Sequence, residues 1–317
     1  MNRRDLTATL RGALLLAVCS VPSALSAQRT HVLIVSGLGG EPRFAQAFQE
    51  SARAVYDVAR DQWRVADSSL IWLAEDPTRD RGRIRARATR ESVGDAFLSL
   101  SRRAEPGDLL LVLLIGHGSG EGSASRVNLP GPDPTAVDYA TWLGGFARQS
   151  VVFVIAASAS GEFIPLLRAG GRVIVTATRS AFERNESHFA EHFARGLATG
   201  DADAEKDGRT TVREAFDYAV REVVREYETA GTLRTEHAVL SDSLLAARLA
   251  FGPPMVGSND PRVRALVAER QALEAQLAAL RERKAAMPEA EYEHELERIL
   301  VLIAEKSAEI RAAGARP

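Results

Sequence analysis

VVFVIAASASGEF, residues 151–163, is a continuous apolar run rich in β-branched residues that stops abruptly in alanine, serine and glycine. A strand with no polar alternation must be buried on both faces, and strands of that kind belong to parallel sheets covered by helices. Working outward, the same signature recurs in HVLIVSG (31–37), SLIWLAE (69–75), DLLLVLLIGHG (108–118) and GRVIVTATR (171–179). Segments with helical periodicity lie between them at about 43–60, 90–104, 136–148, 160–169 and 186–198, and another spans 212–227. Strand and helix alternating in this way predict an α/β domain over residues 28–252, a mainly parallel sheet with helices on both faces.

The 317 residues, 45% hydrophobic and 26% charged, suffice for one sizeable core. A net charge of -2 gives no general attraction to nucleic acid. The one basic run, RDRGRIRARATR (79–90), has no interleaved aromatics and reads as a solvated loop and helix start. At the amino terminus, early arginines precede an apolar stretch from Ala13 to Val21 and small residues from Ala24 to Ala27. This predicts a signal peptide over residues 1–27 and export to the periplasm or beyond. Neither that stretch nor any later one is long enough to cross a bilayer, so no membrane span is expected. Cys19 is the single cysteine, and Val18 before it is too bulky for a lipid-anchor site, so the mature chain is expected to hold no thiol.

At GPPMVGSNDP (252–261) the pattern breaks into a linker, residues 253–260. Beyond it Leu266, Leu273 and Leu280 fall seven apart, with Val263 and Leu277 interleaved. Met287 and Pro288 interrupt the run, and Leu296, Ile299, Ile303 and Ile310 then form a second stripe. The spacing predicts a helical hairpin of coiled-coil type over 261–313, suited to self-association or to holding a protein partner.

In open parallel sheets, sites form at the carboxyl ends of the strands. Two such ends carry chemistry here: Gly116-His117-Gly118, and Ser158-Ala159-Ser160-Gly161. On these residues the chain resembles the caspase/legumain-like cysteine peptidases, in which one strand ends in His-Gly and the next in Asp-Ser-Cys-x-Ser-Gly. The resemblance covers roughly residues 30 to 230, including VIVTATRS after the second motif. It implies His117 as base, the amides of Gly118 and residue 158 as oxyanion donors, and Ser158 at the nucleophile position. Ser158 replaces the cysteine, and Ala156 and Ala157 replace the preceding Asp and Ser. A cysteine beside histidine loses its proton before substrate arrives, whereas a serine needs a base that a carboxylate orients. The expectation is an inactive peptidase homologue that binds a peptide or protein partner. The alternative is a residual hydrolase using Ser158 with His117. Apart from the resemblance, Gly-His-Gly also reads as a tight turn, and the Ala/Ser strand end as close packing.

Other motifs compete. A nucleophile elbow at Ser158 would need glycine where Ala156 and Ser160 stand, and would place its histidine after the serine. Pro42 breaks a dinucleotide pattern in SGLGGEPRF. HFAEH, residues 188–192, spells a zinc signature, but Phe189 and Phe193 claim the buried stripe and leave His188 and His192 on the helix flank. DAEKDGRTTVRE, residues 203–214, fits a twelve-residue calcium loop. Asp203, Glu205, Asp207, the Arg209 carbonyl, Thr211 and Glu214 would be its ligands, with an acidic helix-capping loop as the other reading.

Overall fold

The computed structural model describes residues 28–205, 208–252, 261–284 and 287–314. The expected signal peptide with Cys19, the linker and Asp207 lie outside the described residues. In chain order the elements are β1 (Thr30–Ser36), α1 (Pro42–Asp61), β2 (Leu70–Ala74), β3 (Ile84–Arg87), α2 (Arg90–Ser101), β4 (Leu109–Gly116), β5 (Gly118–Ser119), β6 (Arg126–Val127), α3 (Ala136–Trp142) and β7 (Ser150–Ala157). There follow α4 (Phe163–Leu167), β8 (Arg172–Thr176), α5 (Phe189–Thr199), β9 (Thr210–Thr211), α6 (Val212–Ala230), β10 (Val239–Leu240), α7 (Ser243–Ala246), β11 (Ala250–Phe251), α8 (Pro261–Glu282) and α9 (Glu289–Gly314).

Seven strands form one sheet in the order β10-β8-β7-β4-β1-β2-β3, parallel except for β10. The apolar runs dictate this. All of β4 is buried, and alternate side chains of β1 go to opposite faces. Val32 and Ile34 join Phe48 and Val55 of α1, Phe193 of α5 and Val223 of α6. Leu33 and Val35 join Phe97 of α2, Tyr139 of α3 and Phe163 of α4. The result is the mixed α/β architecture expected, with helices on both faces. β1 sits between β2 and β4, so the direction of winding reverses at the β1/β4 boundary, where such sheets open a crevice.

Local signals start the helices. Thr89 caps α2 by accepting the Ser92 amide, and Thr135 with Asp138 makes a reciprocal capping box on α3. Pro42 occupies the first turn of α1, where its missing N–H costs nothing. One element departs from the sequence reading: the arginine-rich run holds the edge strand β3. Ile84 and Ala86 turn inward while Arg85 and Arg87 stand in solvent, the alternation of an edge strand guarded by charge. Arginine content masks that pattern in the sequence.

The amino ends of the sheet are tied by Asp108. Its carboxylate accepts the Arg29 amide at 3.1 Å, the Glu105 amide at 2.8 Å, His31 Nε2 at 3.0 Å and Arg29 Nη2 at 3.1 Å. On the opposite side of the balance, the Tyr139 hydroxyl is fully buried and makes no hydrogen bond among the described residues, and burial holds its pKa far above the usual phenol value. Tyr139→Phe keeps the ring contacts with Phe153 at 5.5 Å and removes an unsatisfied polar atom. It is expected to be neutral or to stabilise by about 1 kcal/mol in a urea melt, and a loss above that size would reveal a partner for the hydroxyl.

Helices α8 and α9 pack against each other as the expected hairpin. Val263, Leu266 and Leu280 of α8 and Tyr292, Ile299 and Ile310 of α9 are buried. Arg270 of α8 reaches Glu205 of the α/β domain at 3.3 Å. No helix among the described residues is long and apolar enough to cross a membrane.

Candidate functional site

Gly116 of β4 pairs with Ala157 of β7, so His117 and Ser158 leave the sheet side by side, as the motifs require. Their side chains then part. The Ser158 Oγ accepts the Gly118 amide at 3.2 Å, filling with its own oxygen a donor that an oxyanion would need. His117 turns toward α1, where its ring is held edge-on by Phe44 at 4.8 Å and Phe48 at 5.2 Å. Its Nε2 lies 3.2 Å from the Gly39 carbonyl. A carbonyl only accepts, so Nε2 carries the proton. Among the described residues no carboxylate hydrogen-bonds to the His117 ring.

The site is also covered. Ser158 is 3% exposed and Ser160 1%. β5 and β6 pair antiparallel into a strap, and β5 passes so close to the end of β7 that a Cβ on Gly118 would stand 2.0 Å from the Ser158 carbonyl oxygen. Glu121 in the strap faces Arg184 at 3.6 Å, bridging to the loop after β8. Ala159 holds φ at 51°, a left-handed conformation rare for a residue with a Cβ. The Glu183 carbonyl accepts its amide at 2.8 Å. Ser160 and Thr178 then lock the turn: the Ser160 amide donates to Thr178 Oγ1 at 2.7 Å, and the Thr178 amide to Ser160 Oγ at 3.2 Å.

Beside this turn lies a cluster that sequence reading missed. Glu183 Oε1 accepts His237 Nδ1 at 2.8 Å, and Oε2 accepts the amides of Arg179 at 3.1 Å and His237 at 3.0 Å. These residues sit in irregular loops with no periodicity, and no local signal joins Glu183 to His237.

Glu236, next to His237 in sequence, is itself a buried carboxylate. Burial raises its pKa, while the Ser187 hydroxyl and the His188 and Phe189 amides pull against that rise without cancelling it. It accepts those groups at 2.6, 2.8 and 3.3 Å, capping the start of α5 from a distant loop.

The zinc-like histidines do not lie free on the helix flank. His192 is buried, its Nε2 donates to Glu226 at 2.6 Å, and Arg195 donates to its Nδ1. An arginine cannot accept, so the tautomer is fixed. His188 Nδ1 faces the other Glu226 oxygen at 3.1 Å. The packing reason is that α6 lies against α5 and brings Glu226 between the two rings.

In the candidate calcium loop, Asp203 accepts the Gly208 amide at 2.8 Å, and Glu214 accepts the Ala204 amide at 3.0 Å and the Thr211 amide at 2.8 Å. Thr211 and Glu214 form the capping box of α6, and Glu205 faces Arg270. A cation there would displace these contacts. No group of three or more His, Cys, Asp or Glu among the described residues is arranged to hold a metal. A small cleft at the carboxyl ends of β1 and β2 is lined by Ser36, Phe48, Gln49, Glu75 and Arg79, beside His117 but separate from Ser158.

No family model and no curated protein matches the chain. Among solved structures it is similar to the crystal structure of protein GSU0716 from Geobacter sulfurreducens, at 13% identity and a TM-score of 0.44 over 71% of this chain and 94% of that one.

Proposed function

We propose that this chain is an exported homologue of the caspase/legumain-like cysteine peptidases that no longer cuts peptide bonds and serves as a binding and assembly module. The observation that carries the reading is the divergence of His117 and Ser158. A serine attacks only when a base accepts its proton during the attack, and the base needs an acid behind it. Here the base donates to a main-chain carbonyl, and the hydroxyl is spent on the Gly118 amide. The strap across Ser158 leaves a substrate carbonyl no approach. What remains useful is a rigid sheet domain and the hairpin that follows it.

The mature chain is expected to leave peptide substrates uncut over a broad sequence panel, and Ser158→Ala to change nothing. Peptide turnover that disappears in Ser158→Ala would overturn this reading and establish the residual hydrolase in its place.

A further inference from the structure

The hairpin buries one seam and leaves an open groove beside it. Lys306 Nζ pairs with Glu269 across the arms at 2.9 Å, and counting from that pair toward the turn sets Leu273 opposite Leu302. Nearer the turn lies a cavity of about 360 Å³, lined among others by Gln276, Leu280, Arg283, Glu291, His294 and Ile299. Its floor is apolar, since Leu280 and Ile299 are buried residues of the hairpin core. Its rim carries both signs of charge. Arg283 and Glu291 are exposed, and neither forms an ion pair among the described residues. The same face continues past the cavity: Val301 follows His294 by one heptad and is 50% exposed.

We infer that this groove is closed by the same groove of a second copy, in a two-fold arrangement that sets Arg283 of each copy against Glu291 of the other. A two-fold contact is made by one patch with itself, so the patch must be self-complementary. A groove with an apolar floor and one unspent charge of each sign on its rim meets that condition. Helices in proteins gain most of their stability from packing an apolar face, and a second hairpin supplies further apolar contact, as in four-helix bundles. The inference rests on the reading of the hairpin as an assembly arm and specifies its contact.

The test is sedimentation of the full mature chain at tens of micromolar, in low and in moderate salt. Arg283→Glu and Glu291→Arg each place like charges in both symmetric pairs, and each is expected to weaken the dimer at least about tenfold, less so as salt screens the rim. An equal mixture of the two variants restores opposite charges in both pairs of the mixed dimer and is expected to recover association. A dimer indifferent to both substitutions, or a mixture that fails to recover, overturns the groove contact. If such an indifferent dimer is lost in Leu300→Asp, on another exposed face of α9, the assembly arm stands and only the groove falls. A monomer at these concentrations overturns both.

Discussion

Asp108→Asn is expected to lower the stability of the fold by about 3 to 4 kcal/mol, the cost of breaking a buried, hydrogen-bonded charge cluster from one side. Asp108 is 3% exposed, and both its oxygens are occupied. An asparagine amide in that place sets N–H against the Arg29 amide if it replaces Oδ1, or against the Arg29 guanidinium, the Glu105 amide and His31 if it replaces Oδ2. The loss reaches three strands, because the Leu109 amide bonds to the Arg29 carbonyl and the Ser150 amide to the Asp108 carbonyl. For a domain of this size the melting temperature is expected to fall by roughly 10 °C. A fall of under about 2 °C would mean that the cluster contributes nothing net.

The same substitution should change the pH dependence in a defined direction. Burial pushes the Asp108 carboxyl up, but the Glu105 amide, His31 and the Arg29 amide and guanidinium together hold it below the ordinary carboxylate range. A carboxyl lowered in the folded state stabilises fully above its unfolded pKa, about 3.9, and loses that contribution as pH falls through the folded value. Glu236, raised in the folded state, works the other way: its contribution is complete below the unfolded pKa and lost as pH rises through the folded value. Asp108→Asn is therefore expected to flatten the acid limb of the stability curve and to leave the Glu236 limb in place.

Asp108, His31 and Arg29 also mark where sequence reading stops. The long strands were legible because LLLVLLIG and VVFVIAA are short apolar runs, rich in β-branched residues in the second, that end in glycine and serine. The hairpin was legible from its heptads and from Pro288. The two motif-bearing strand ends were legible as such, and the pairing of Gly116 with Ala157 sets them side by side. Beyond that, side-chain direction decides. His117 faces α1 because Phe44 and Phe48 offer its ring an edge-on seat and Gly39 an acceptor, none of which the Gly-His-Gly motif encodes. The buried polar contacts join residues 77 or 54 positions apart, as in His31 with Asp108 and Glu183 with His237. Such contacts are chosen by the packed fold, and short-range pattern carries no trace of them. The two-residue strands β9, β10 and β11 fell below any period for the same reason.

Gly118→Ala is expected to cost about 3 kcal/mol and to open the site. The added methyl carbon would stand 2.0 Å from the Ser158 carbonyl oxygen and 3.2 Å from its carbon. Both are backbone atoms at the end of a central strand, so neither can swing aside. The strap must lift instead, which breaks the Gly118 amide bond to Ser158 Oγ and uncovers residue 158. A thiol reports this directly. With Ser158→Cys in the otherwise natural chain, the sulfur lies under the strap and should alkylate slowly. Adding Gly118→Ala should raise the alkylation rate at least about tenfold under conditions where the chain remains folded, since access then depends on a local opening that the methyl group has already forced. Global destabilisation alone would raise the rate only in step with the unfolded fraction, and a urea series separates the two: local opening stays insensitive to denaturant, whereas global unfolding follows it with the full slope. An alkylation rate unchanged by Gly118→Ala would mean that the strap does not cover residue 158 in solution, and the closed site would then have to be abandoned as a ground for the proposed inactivity.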